Sequence, residues 1–199
     1  MRQPNSVMPS RPGGHKWPPG PPDGQGIAMP FSDAEEPAAP GLLAAVTALR
    51  AAAQRADADA VAGLLATDVV FHSPMTSRIR FEGTEEVTAL HRDIFAAIEG
   101  LSTSDPLTRD DTAAFTFTGS VRGLQLEAMN VVRVDQQGKI VEFTIYARPL
   151  PALAALFATL PPRVTTRRRG RARGVLVATV ATPLSLAFRV ADVFVPKLI

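Results

Sequence analysis

The side chains able to do chemistry in this chain of 199 residues are few and scattered. There is no cysteine, so disulfide frameworks, thiolate metal sites, thiol redox chemistry and Cys nucleophiles are excluded together. Three histidines occur. His72 stands next to Ser73, but neighbours in a strand point to opposite faces and cannot work as base and nucleophile. His72 is therefore expected on the outer or partner-facing side of a strand. His91 lies in a helical stretch with no ligand-spaced His, Asp or Glu around it, which argues against a metal, and His15 sits in a Pro/Gly-rich tail. Glu127 and Glu142 would reach a pocket mouth only if the parity of their strands were reversed; a solvated or interface role is preferred. No phosphate loop, Gly-x-Ser-x-Gly elbow or dinucleotide fingerprint is present, and no cofactor is implied.

The net charge of +2 hides a segregation. Residues 29–162 carry ten basic against 17 acidic side chains, whereas residues 163–173 carry six Arg and no acid. A uniformly basic nucleic-acid protein is excluded, and the basicity belongs to a tail.

Composition divides the chain into three parts. Residues 1–40 hold ten of the 18 prolines without apolar periodicity and read as a disordered tail, with Met29 as an alternative start. No apolar run follows the early positive charges, so a secretory signal is not expected and a cytoplasmic location is. Residues 41–160 form the domain. Leu42, Leu43, Val46, Leu49 and Ala53 recur at helical spacing, and Asp57 caps a second short helix. Short strands follow at Val69–His72 and Arg78–Glu82. A third helix opens at Thr84 as its N-cap and ends at Gly100. From there the period switches to two, near residues 102–107, 112–121, 124–134 and 139–148, with turn residues between. A short apolar helix from Leu150 should stop at Pro161-Pro162. This order predicts an α+β fold, with helices on one face of a curved antiparallel sheet.

Leu65–Pro74, Phe81-Glu82-Gly83 and Asn130–Ile140, in that order and spacing, resemble the cone-shaped superfamily that includes nuclear transport factor 2, ketosteroid isomerase and the SnoaL-like polyketide cyclases. The resemblance covers about residues 41–160. It implies three N-terminal helices and a curved sheet around a deep apolar pocket, and a homodimer formed through the sheet. It also carries functional positions across. The general base of ketosteroid isomerase falls on Ser73, its oxyanion Tyr on or near Leu49, and its second oxyanion donor on Asn130. An alcohol of ordinary acidity cannot abstract a proton alpha to a carbonyl, so steroid isomerisation is not expected. The epoxide-hydrolase and cyclase branches place acids on the last two strands, where Ile145 and Arg148 stand here.

By resemblance and period-two alternation the pocket lining is Val70, Phe95, Phe117, Met129, Phe143 and Ile145, with Ser73 and Asn130 as its polar points. The expected occupant is a small lipophilic molecule, on which an isomerase, cyclase or hydrolase type of reaction would lack the usual carboxylates. The competing class is a non-catalytic interaction or membrane-peripheral module.

Residues 161–199 are not explained by the family. The arginines from Arg163 to Arg173 precede fifteen residues, 174–188, without a charge, too few to span a bilayer of roughly 20 helical residues. The first expectation is an appended element packing on the domain or its dimer mate. A peripheral contact with an anionic membrane comes second, and nucleic acid is a distant third.

Overall fold

The computed structural model describes residues 38–194; the expectations placed on residues 1–37 and 195–199, including the disordered tail, His15 and Met29, lie outside the described residues. The fold is α+β, a curved, unclosed sheet carrying helices on its concave side. Helix α1 (Leu42–Gln54) and helix α2 (Ala58–Ala62) lead into β1 (Leu65–His72), β2 (Phe81–Glu82) and α3 (Thr84–Phe95). Then come β3 (Glu99–Thr103), β4 (Leu107–Arg109), β5 (Thr112–Val121), β6 (Leu124–Val134), β7 (Ile140–Arg148), and two long helices, α4 (Leu150–Arg169) and α5 (Arg171–Phe194). The strands lie in the order β2-β1-β7-β6-β5-β3, with β4 also on β5. The sheet is not wholly antiparallel as expected: β1 pairs parallel with β7, because the helical crossover from β1 returns the chain to the far side of the meander.

Local chemistry explains the helix boundaries. Asp57 caps α2 by accepting the Ala60 N–H at 2.9 Å. The expected Thr84 cap is not formed. Gly83 occupies the cap position at φ 83°, a conformation open to glycine, and the Thr84 hydroxyl instead donates to the Ala66 carbonyl at 2.9 Å, tying α3 to β1. Helix α1 buries Leu42, Val46 and Leu49 on one stripe, and Arg50 and Gln54 bond Thr103 and Asp105 to hold it over β3.

The last two helices depart most from expectation. Helix α4 does not stop at Pro161-Pro162 but runs through them. Each proline removes a helical hydrogen bond, a cost of about 3 kcal/mol in isolation. Leu156, Leu160 and Val164, one stripe that crosses both prolines, are all buried and keep the helix in place by packing. Helix α5 likewise continues through Pro183 and folds back along α4, which makes a helical hairpin. Gly174 sets their closest approach, since a Cβ there would strike the Thr166 hydroxyl and come within 3.0 Å of the Pro162 carbonyl oxygen.

Candidate functional site

The concave face of the sheet is built by cross-strand rows. In one row Phe81 pairs with Phe71, Phe71 with Phe143, Phe143 with Val132 and Val132 with Ala113. In the next, Phe115 pairs with Asn130 and Asn130 with Ile145. Period-two alternation sends both rows inward, against α1, α3 and α4. The helices do not fill the space. A cavity of about 470 Å³ remains, lined by apolar side chains of the sheet, of α1 and α3, and of the hairpin through Leu156, Leu160, Val164 and Val177. That volume lies in the range of sites for small molecules.

Of the residues expected to line it, Ser73, Phe95, Phe117, Asn130, Phe143 and Ile145 do so, and so does Leu49. Val70 and Met129 do not. Val70 pairs with Glu82 and Glu142 in an outward row, and Phe71 takes the inward place on the same parity as the buried Leu65 and Val69. Met129 neighbours Asn130 in β6 and so faces the opposite side, 43% exposed beside its cross-strand partner Tyr146. Glu142 is also outside, bound by Arg133 at 2.8 Å and His72 at 3.0 Å. The Arg133 hydrogen bond holds its carboxyl below the ordinary range. Glu127 pairs with Arg148.

Besides Thr76, Thr103 and Thr165, four polar side chains line the cavity. The Ser73 hydroxyl accepts the Met75 N–H at 3.1 Å, which leaves its own O–H to donate. The Asn130 amide has no side-chain hydrogen bond among the described residues and so keeps its full donor and acceptor capacity. Among the described residues, Arg78 is the one charged side chain in the lining, and no carboxylate lines the space. The fourth is His91, weighed from its spacing only as a metal ligand and not as part of the lining. It is buried on α3 against Phe71, Phe95 and Phe143, with ring centroids 5.2 to 5.9 Å away. Its Nδ1–H donates to the Val87 carbonyl at 2.8 Å. A carbonyl only accepts, so the proton sits on Nδ1 and the Nε2 lone pair is left as an acceptor. Burial pushes the imidazole below its ordinary 6.5, partly countered by the Val87 bond, and keeps it neutral at physiological pH.

The hairpin wall is fastened by charge. Arg167 reaches Glu86 at 2.9 Å and Asp93 at 3.1 Å, and Arg168 reaches Glu86 at 2.7 Å while its guanidinium lies 4.7 Å from the Phe81 ring centroid. Burial alone would raise the Glu86 carboxyl, but the hydrogen bonds from Arg167 and Arg168 outweigh it and leave it below the ordinary value. Two of the six clustered arginines are thus part of the fold. Among the described residues, no group of three or more His, Asp or Glu could hold a metal ion.

Helices cupped by a curved sheet around an apolar cavity define a cone-shaped α+β domain. Residues 46–143 match the SnoaL-like domain family, and the fold around them is the nuclear transport factor 2-like one. It is similar to a steroid delta-isomerase from Pseudomonas aeruginosa at 23% identity, covering 66% of this chain and 97% of that one, with a TM-score of 0.61. A protein with a cystatin-like fold from Silicibacter pomeroyi matches at 19% identity, 69% and 94% coverage and a TM-score of 0.58. An ntf2-like protein of unknown function from Mesorhizobium loti follows at 18%, 57% and 98%, and 0.51. At such identities the likeness is one of fold. No curated protein matches the chain.

Proposed function

We propose that this protein binds a small lipophilic molecule with one polar end in its cavity, in the cytoplasm and as a homodimer. The observation that carries the reading is the Asn130 amide, without a side-chain partner, in an apolar wall around about 470 Å³ of space. The amide is half-buried and reachable from the cavity, so it calls for a hydrogen-bond partner there. A hydroxyl or carbonyl on the ligand would meet that need, with His91 Nε2 as a second acceptor. A purely structural module would be expected to fill the same space with side chains.

Of isomerase, cyclase and hydrolase chemistries, none finds a carboxylate among the described lining residues, where His91 is the one neutral base beside the cationic Arg78. Binding is accordingly the proposed function, with any reaction resting on His91. The experiment is a titration with a solvatochromic apolar dye and its displacement by lipophilic alcohols and ketones. Wild type should bind, and Asn130→Leu should lower the affinity of the oxygen-bearing competitors but not that of the dye. Equal losses, or none, would remove Asn130 from the role. For the dimer, the exposed Met129 and Tyr146 row supports the outer sheet face as the contact. Tyr146→Asp should then halve the mass seen by light scattering.

A further inference from the structure

Helix α5 packs on α4 through a narrow stripe containing Gly174, Ala181 and Ser185, all buried. Its opposite face is apolar along its length. Val175, Leu176, Val180, Leu186 and Val190 are 55–71% exposed. A helix on a domain surface ordinarily turns polar residues outward. A continuous apolar ridge of this length marks a contact with something else.

Charge identifies the partner. Between Glu142 and Asp192 the chain has no Asp or Glu at all. Arg167 and Arg168 are matched by α3, but Arg163 within α4, Arg169, Arg171 and Arg173 at the bend, and Arg189 near the other end, are exposed and have no carboxylate partner among the described residues. An apolar ridge with unmatched guanidinium groups at both ends fits a surface that is apolar within and negative at its rim. Two such hairpins facing one another would gather these cations with no carboxylate between them.

Spanning is a poorer fit than lying flat. By length and composition Arg171–Asp192 could cross a membrane, with a mean hydropathy of 1.6. Yet the charge-free run 174–188 rises only about 22 Å at 1.5 Å per residue, short of a hydrocarbon core of about 30 Å. The inner stripe of α5 is also committed to α4, which α3 holds through Arg167 and Arg168. We propose that the α4–α5 hairpin docks flat on an anionic lipid bilayer, with the outer ridge of α5 in the interface and the arginines on the headgroup phosphates.

The test is co-sedimentation of the full chain with vesicles of phosphatidylglycerol and phosphatidylcholine in equal parts. Binding is expected at low salt, weakening as salt rises, and far less on pure phosphatidylcholine. Replacing Arg169, Arg171 and Arg173 by Ser should lower the partition coefficient roughly a hundredfold, at about fivefold for each Arg. Leu176→Asn, Val180→Asn and Leu186→Asn together should abolish it, with the circular dichroism spectrum and melting temperature of both variants unchanged. A wild-type chain that stays in the supernatant at low salt overturns the proposal, and so does a ridge variant that binds as before. If wild type ignores vesicles and the ridge variant halves the mass in light scattering, the occupant is a second copy.

Discussion

Replacing Glu86 by Gln should loosen the hairpin wall of the cavity by an amount that depends on pH. The Glu86 carboxylate accepts two bonds from Arg167, at 2.9 and 3.1 Å, and two from Arg168, at 3.0 and 2.7 Å. A hydrogen bond to a charged group contributes about 1.5–3 kcal/mol when well buried, and an exposed ion pair about 0–1. These side chains are 26–32% exposed, and Arg167 keeps Asp93 after the substitution, so the loss should be about 2 kcal/mol. For a domain of this size that lowers the melting temperature by roughly 4–8 °C. The pH dependence follows from the lowered carboxyl. Unfolded, Glu86 takes up a proton near its ordinary 4.5; folded, it does so at lower pH. Its stabilisation is complete above about 4.5 and disappears as the pH falls through the folded value. Thermal unfolding of both proteins across the acid range should therefore show a gap at neutral pH that closes in acid. Equal melting temperatures at neutral pH, or a gap that persists in strong acid, would show that the Glu86 carboxylate does not hold the hairpin.

His91 should remain neutral with its proton on Nδ1 at pH 7, visible in nitrogen chemical shifts, and it should destabilise the fold as pH falls below about 6.5, because the unfolded chain then takes a proton that the buried ring resists. Gly174→Val should separate α5 from α4 against the Pro162 carbonyl and expose the Arg-rich bend to trypsin, while β1 to β7 stay protected from hydrogen exchange. The unmodified protein should not turn over a 5-ene-3-ketosteroid, since Ser73 and Leu49 line the cavity where that reaction needs a base and a phenol; Ser73→Asp should restore at most a trace, followed by ultraviolet absorbance.

Much of this architecture is legible in the chain because it depends on local rules. Period-two alternation located β5, β6 and β7 and turned Asn130, Phe143 and Ile145 inward, and the Asp57 cap marked the start of α2. What was not legible depends on distant partners. The parallel pairing of β1 on β7 brings the two ends of the domain together, and no property of either strand alone reveals that. Pro161-Pro162 reads as a stop until Leu156, Leu160 and Val164 are seen buried together across it. His91 is a single imidazole in a helix, and only the cavity beside it and the Val87 carbonyl make it a poised acceptor. The arginine cluster looks uniform in sequence, but the fold assigns Arg167 and Arg168 to α3 and leaves their neighbours free of carboxylates.

The most direct test of the central claim is native mass spectrometry of the protein purified from its source, beside an Ala53→Trp variant whose side chain would occupy the cavity that Ala53 lines. The account predicts one lipophilic molecule per chain in the wild type, released on denaturation, and none in a folded Ala53→Trp variant. A wild-type chain that carries no such molecule, and takes none up from a lipid extract of the same cells, would contradict it.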